Sequence, residues 1–425
     1  MTRNSLILIA TAALLVAPVN QARAGDPTPD PPQQNAEALP AVLGSVATGN
    51  DNVGRPIAEG PFVVTIPRLA SGLEIHAGFL LLQPGSDDLG WAVLTNYQNL
   101  ASPRPVASPF WTIQTLKPDY EPAFEVGGRY VFADSGNDLQ VNWLRFRSTT
   151  SSSVQAQGPP ATDGGSTAFA GPVQWVSPFS QTGPSSAESF DTITKSQGVN
   201  KLRSAFGQVA FSSDVVNLDV GQYVTFGPAI QVRAFGGVSY ARLQQRILSS
   251  FFGAPPGPDA VFPASVPLVI SLDQKSTFEG AGPRVGFDAD YEGPYNFRLT
   301  GHCAGALLIG RKRPAEYEFN ATSPELAAAG LTTNPEHIGS DPSTQVVYSF
   351  DARLGIGYCH RLGSGSRFTV EAGYLAAVYI DPFSSYQSNH NILPLQIGSL
   401  STASMRQTLS DFALNGFYLT VGYQW

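Results

Sequence analysis

The 425 residues carry a formal net charge of -8 and a pI near 5.1, an acidic balance that argues against nucleic acid as a partner. Only 14% of the residues are charged, against a usual ~25%, while 42 Gly and 34 Pro punctuate the chain. With a mean hydropathy of -0.04, no segment past the N-terminal leader holds the ~20 consecutive apolar residues of a membrane-spanning helix.

Arg3, the apolar run Leu6–Val16 and the small-x-small triplet Ala22-Arg23-Ala24 predict a secretory signal peptide over 1–24, with the mature chain starting at Gly25. Residues 25–71 are Pro-rich and predict a periplasmic linker. From Gly72 the chain alternates with period two. Leu73, Ile75, Ala77, Phe79 and Leu81 share one face of a first strand, opposite Glu74 and His76. A second strand is predicted from about Trp111 to Phe132, with Phe124, Val126, Tyr130 and Phe132 against Glu125 and Arg129. After the turn ADSGND, the third starts with Leu139, Val141 and Trp143. The fourth spans roughly Lys201–Val220, and the fifth starts near Ala229 and carries Arg233 on its polar face. In the sixth, Val285, Phe287, Ala289 and Tyr291 alternate with Arg284, Asp288 and Asp290. The seventh sets Phe297, Leu299, Leu307 and Ile309 against Arg298, Thr300 and His302. The eighth, near Gln345–Arg361, opposes Phe350, Leu354 and Ile356 to Asp351 and Arg353; the ninth opposes Phe368, Val370, Tyr374 and Val378 to Glu371. The tenth ends NGFYLTVGYQW, with Phe417, Leu419, Val421, Tyr423 and Trp425 on one face. An apolar final strand ending in an aromatic residue suits closure onto a first strand in a membrane barrel, where it would serve as the signal for the barrel-assembly machinery.

Export without membrane helices leaves a closed barrel as the spanning architecture. The predicted fold is all-β: a transmembrane antiparallel up-and-down barrel of ten strands over 72–425, with eight or twelve as alternatives. Short connections fall near Ala133, Gly221, Glu292 and Gly363. Long ones fall at Pro84–Phe110, Ser148–Asn200, Gly253–Pro267, Arg313–Pro342 and Asp381–Gln407. That alternation matches short periplasmic turns and long extracellular loops.

DVVNL at 214–218, YARL at 240–243, GAGPRVGFD at 280–288, AGALLIG at 304–310 and the ending NGFYLTVGYQW occur in that order. On these motifs the segment from Gly72 on resembles the Legionella major-outer-membrane-protein-like family of pore-forming outer-membrane β-barrels, including its planctomycete-type members. The resemblance implies an outer-membrane pore. It carries no catalytic residues over.

With the apolar faces given to lipid, the lumen would carry Glu125, Arg129, Asp219, Arg233, Arg284, Asp288, Asp290, Arg298, His302, Asp351, Arg353 and Glu371. These residues form either a charged constriction that passes small solutes or ions, or a mutually paired network that stiffens a filled wall. Ten strands leave only a narrow lumen, since eight are filled by side chains. The runner-up reading is a largely closed surface barrel for adhesion or envelope structure, with the Ser148–Asn200 loop and its Phe169, Trp175 and Phe179 as the contact surface. No cofactor or metal is expected, and no catalysis: His337 and His390 sit in predicted outer loops without a paired acid–base motif. Cys303 and Cys359 fall on opposite strand faces and are expected to be free thiols.

Overall fold

The computed structural model describes residues 64–67, 69, 71–96, 111–155, 173–176, 202–227, 229–253, 269–322, 336–362, 366–390 and 403–425. The expected signal peptide and most of the expected linker lie outside the described residues. The architecture is a ring of ten antiparallel strands: β1 Gly72–Ser86, β2 Glu121–Val131, β3 Asn137–Gln155, β4 Leu202–Phe226, β5 Ile230–Gly253, β6 Val269–Glu292, β7 Phe297–Thr322, β8 Ser343–Arg361, β9 Arg367–His390 and β10 Ala403–Gln424. Each pairs with the next in sequence, and β10 closes onto β1 from Gln424↔Glu74 to Phe412↔Ser86. Closure leaves no ladder edge in the ring, which is what a lipid environment demands of a sheet.

Each strand has two faces, and the medium around each face changes partway along it. Near the short turns, outward side chains are apolar: Val216, Leu218 and Val220 on β4, Val285 and Phe287 on β6, and Leu354 and Ile356 on β8 are all exposed. Their inward neighbours include Asp219, Arg284, Asp288 and Arg353. Toward the long-loop end the phase inverts. On β5, Val238 and Tyr240 point outward, but Leu243, Ile247 and Phe251 point inward and are buried, while Arg242 and Arg246 face out. The outward apolar stretch is about ten residues per strand, the length a tilted strand needs to cross hydrocarbon. Beyond it, water lies outside the wall and the apolar residues turn in.

This inversion lengthens the strands beyond the expected boundaries. β3 runs on to Gln155, β7 to Thr322 and β9 to His390, into segments expected to be loops. Two further corrections follow from local chemistry. The second predicted strand splits. Trp111–Thr115 leaves the ring to pair with Gly90–Asn96, and the chain re-enters the wall at Glu121 after Pro118, which has no amide hydrogen for a ladder. The turn expected near Gly221 lies instead at Gly227, with φ +67. Gly221 is mid-strand, and a Cβ there would come within 2.4 Å of Arg233 Nε and 2.5 Å of Asp138 Oδ1. Val64–Thr65, within the expected linker, pairs with β4 at Phe226 and Thr225. Cys303 and Cys359 are both free and lie on opposite faces of the wall.

If the outward face of β8 meets hydrocarbon, Leu354→Arg should lower folding stability in liposomes by about 2–4 kcal/mol. Ser212→Arg, outward but past the apolar stretch of β4, should cost at most about 1 kcal/mol. Urea titrations followed by heat-modifiable gel migration measure both.

Candidate functional site

The interior of the ring has two layers. The first, at the depth of the outward apolar stretch, is charged. Alternation turns all twelve predicted lumen residues inward, and the ring brings them within reach of one another. Arg233 on β5 is almost fully buried; its Nε donates to Asp138 Oδ2 at 2.7 Å and its Nη1 to Asp288 Oδ2 at 2.9 Å. His302 bridges β6 and β8, with Nδ1 on Asp288 and Nε2 on Asp351 at 2.8 Å. Arg284 Nη2 also lies 3.1 Å from His302 Nε2, so the ring sits between a guanidinium and two carboxylates. Arg284 donates to Asp351 at 3.0 Å, and its Nε lies 3.9 Å from Asp219. Phe235 stacks on His302 with centroids 5.6 Å apart and lies under the guanidiniums of Arg233 and Arg284 at 4.8 and 5.5 Å. These are cation–π distances.

Across the lumen, Arg353 pairs with Glu125 at 2.8 Å, and Asn142 donates to the same carboxylate at 2.6 Å. Arg298 lies 3.3 Å from Glu371 and 3.6 Å from Asp290, and Tyr418 donates to Glu371 at 2.7 Å. Arg129 lies 3.4 Å from Asp138 and 3.7 Å from Glu74, and donates to Tyr223 and Gln140. Pairing is what charge at this depth requires: an isolated buried ion costs several kcal/mol.

Sequence reasoning missed other members of this layer, Gln140, Asn142 and Phe235 among them. Asp138 was assigned to a turn, and Tyr223 lies past the expected end of β4. Tyr418 lies on the face of the last strand opposite its apolar phase. Glu74 was seen on the polar face but not placed in the lumen. The signal for Tyr418 was the pair Gly355 and Gly373 on the facing strands: a Cβ at either would come within 2.3–2.7 Å of its hydroxyl.

The second layer lies toward the long loops and is apolar. Phe146, Phe211, Leu243, Phe278, Phe383 and Phe412 are among its buried side chains. Into it enters a small sheet from outside the ring, formed by Gly90–Asn96 with Trp111–Thr115 on one side and Val173–Val176 on the other. Leu89, Trp91 and Leu116 belong to the buried cluster. Trp91 lies over Gly207, which faces inward on β4; a Cβ there would come within 2.3 Å of the indole. Gly207 is therefore the space that the indole fills. Lys312 is also fully buried. It lies past Arg311, where the outward face of β7 is already charged, and its Nζ donates to the carbonyls of Asp381 (2.8 Å) and Phe383 (3.0 Å) at a break in the β9–β10 ladder. Burial, only partly offset by the Asp381 carboxylate, lowers the Lys312 ammonium to about 8.

Two predictions follow from these layers. Arg353→Met would leave Glu125 buried without its cation and should cost about 3–5 kcal/mol; adding Glu125→Gln should restore most of that, as a double-mutant cycle in urea would measure. For Lys312, the unfolded chain keeps its proton up to the ordinary value of 10.5, while the folded chain releases it near 8. Stability should therefore rise with pH between those values, because the unfolded state binds more protons there. Lys312→Met should flatten that rise in unfolding titrations across pH 7–11.

A family model described as the Legionella pneumophila major outer membrane protein precursor matches residues 65–425. No curated protein matches the chain. Among solved structures, the outer membrane protease OmpT from Escherichia coli is 10% identical, with 84% of this chain and 98% of that one covered and a TM-score of 0.35. The P. putida toluene transporter TodX is 5% identical, with 83% and 89% covered and a TM-score of 0.21. A Pseudomonas aeruginosa FadL homologue is 6% identical, with 84% and 90% covered and a TM-score of 0.21. The ten-stranded ring with its apolar outer stretch and the match over all of that ring agree: the chain belongs to the Legionella pneumophila major outer membrane protein family and is an outer-membrane β-barrel protein.

Proposed function

We propose that the chain is a pore-forming barrel that is shut at rest, and that small ions and solutes pass when the sheet carrying Trp91 leaves the lumen. The fit of Trp91 over Gly207 carries this reading. The small sheet is separate from the ring's hydrogen-bonded ladder, so its removal breaks side-chain packing and the bond from Gln245 Nε2 to the Asp88 carbonyl but no ladder bond of the wall. Beneath it, Asp219 Oδ1, Arg233 Nη2, Arg284 Nε and Asn142 Oδ1 are buried and form no hydrogen bond among the described residues. Such atoms gain from water once the layer above opens. The carboxylates of the charged layer outnumber its guanidiniums, which favours cations over anions.

The pairing of the lumen charges favours a second reading, a closed surface barrel for adhesion or envelope structure. No catalytic role is part of the proposal: His302 and its two aspartates lie beneath the apolar layer, out of reach of an extended chain. The exposed face formed by Phe417, Leu419, Val421, Tyr423 and Trp425 is proposed to meet outer-membrane lipid and to be read by the barrel-assembly machinery.

Planar-bilayer recordings under a salt gradient test the pore. The full chain should give rare, small steps. Deleting residues 87–116 should raise conductance several-fold, with a reversal potential of cation sign. Silence from both proteins, each shown folded by heat-modifiable migration, would leave the closed surface barrel.

A further inference from the structure

Just past the apolar stretch, the outer face of the wall divides into two unlike halves. On five consecutive strands the first outward residue beyond the apolar stretch is charged. Trp143 is followed by Arg145, Val216 by Asp214, Tyr240 by Arg242, Ala281 by Glu279 and Ile309 by Arg311. These five are register partners in one row: Arg145↔Asp214, Asp214↔Arg242, Arg242↔Glu279 and Glu279↔Arg311. The next row adds Arg147 and Arg313, joined through Ser212, Gln244 and Thr277. A third adds Arg246 and Lys275, with Asp273 beside Arg246 and Glu316 the register partner of Lys275. Arg147, Arg242, Lys275, Arg311 and Arg313 are exposed. The other half differs: the corresponding outward positions on β8, β10 and β1 are Thr344, Asn415 and Gln83.

We propose that the outer face of β3–β7 binds a membrane lipid of the long-loop-side leaflet whose headgroup carries more than one phosphate. Three observations select this occupant. The row is continuous with the lipid-facing stretch, so a ligand seated there keeps its chains on Trp143, Val216 and Ile309 while its headgroup meets the row. The sign is complementary, because arginines outnumber acids across the three rows and guanidinium matches phosphate bidentately. The spacing suits several anionic groups: arginines on alternate strands stand about 10 Å apart, and Asp214 and Glu279 between them relieve their mutual repulsion. An acidic soluble protein would have no use for the apolar stretch beneath.

The test is native mass spectrometry of the full mature chain in neutral detergent, with bis-phosphorylated lipid A as the probe. The wild type should retain the lipid. R242Q/R311Q/R313Q should weaken binding on the order of a hundredfold, about fivefold per cation, and the wild type should weaken as salt screens the charges. Lys117→Gln, outside the three rows, should leave binding unchanged. Heat-modifiable migration confirms that each variant is folded. Equal retention by the triple variant, or equal retention of lipid A stripped of its phosphates, would overturn the proposal. Displacement by equimolar inorganic phosphate would also overturn it, by assigning the site to the free anion.

Discussion

A strand that crosses a membrane and continues into water must solve two solvation problems with one backbone. Period-two alternation fixes which side chains face out, but not what lies outside. Near the short turns the outside is hydrocarbon, so Val285, Phe287, Leu354 and Leu419 face it, and charge collects inside. Farther along, the outside is water, so Arg242 and Arg246 turn outward while Leu243, Ile247 and Phe251 fill the interior. The exchange of apolar and charged phases along each strand generates the layered lumen, and the layers supply both the paired network and its apolar cover.

The charged layer then depends on close packing. A ten-stranded ring is narrow, so its arginines and tyrosines must lie along the wall rather than stand in an open channel. They do so over inward glycines. Arg233 lies over Gly221, and Tyr418 lies over Gly355 and Gly373. His302 completes the pairing as a doubly bonded bridge between Asp288 and Asp351, with Phe235 stacked on its face. Because most members hold two partners, loss of one charge exposes several others, which is how small paired networks impose specificity on a wall.

The strand count, the closure and the inward set were legible in the sequence, because membrane-depth alternation is strict: a charge on the wrong face costs ~2–4 kcal/mol, so the pattern tolerates few exceptions. The upper layer was not legible, for a physical reason. Following one apolar phase, as from Ile230 to Tyr240, makes the opposite phase from Leu243 to Phe251 look like the end of a strand. The inserted sheet was hidden too. Nothing in the local pattern around Trp91 distinguishes an indole that caps a ladder from one that fills a lumen; only Gly207, more than a hundred residues away in sequence, supplies the space. Gly221 misled in the same way, since a glycine that makes room for Arg233 reads as a turn until its partner is known.

In the proposed pore one movable contact, Trp91 against Gly207, closes the lumen. A reversible crosslink tests it most directly: Trp91→Cys with Gly207→Cys, in a chain whose Cys303 and Cys359 are replaced by serine. Single-channel current is recorded before and after oxidation and again after reduction. A gate at this contact gives current through the reduced protein, its loss on oxidation and its return on reduction. Current that is indifferent to the crosslink would contradict it and place any conducting path elsewhere in the wall.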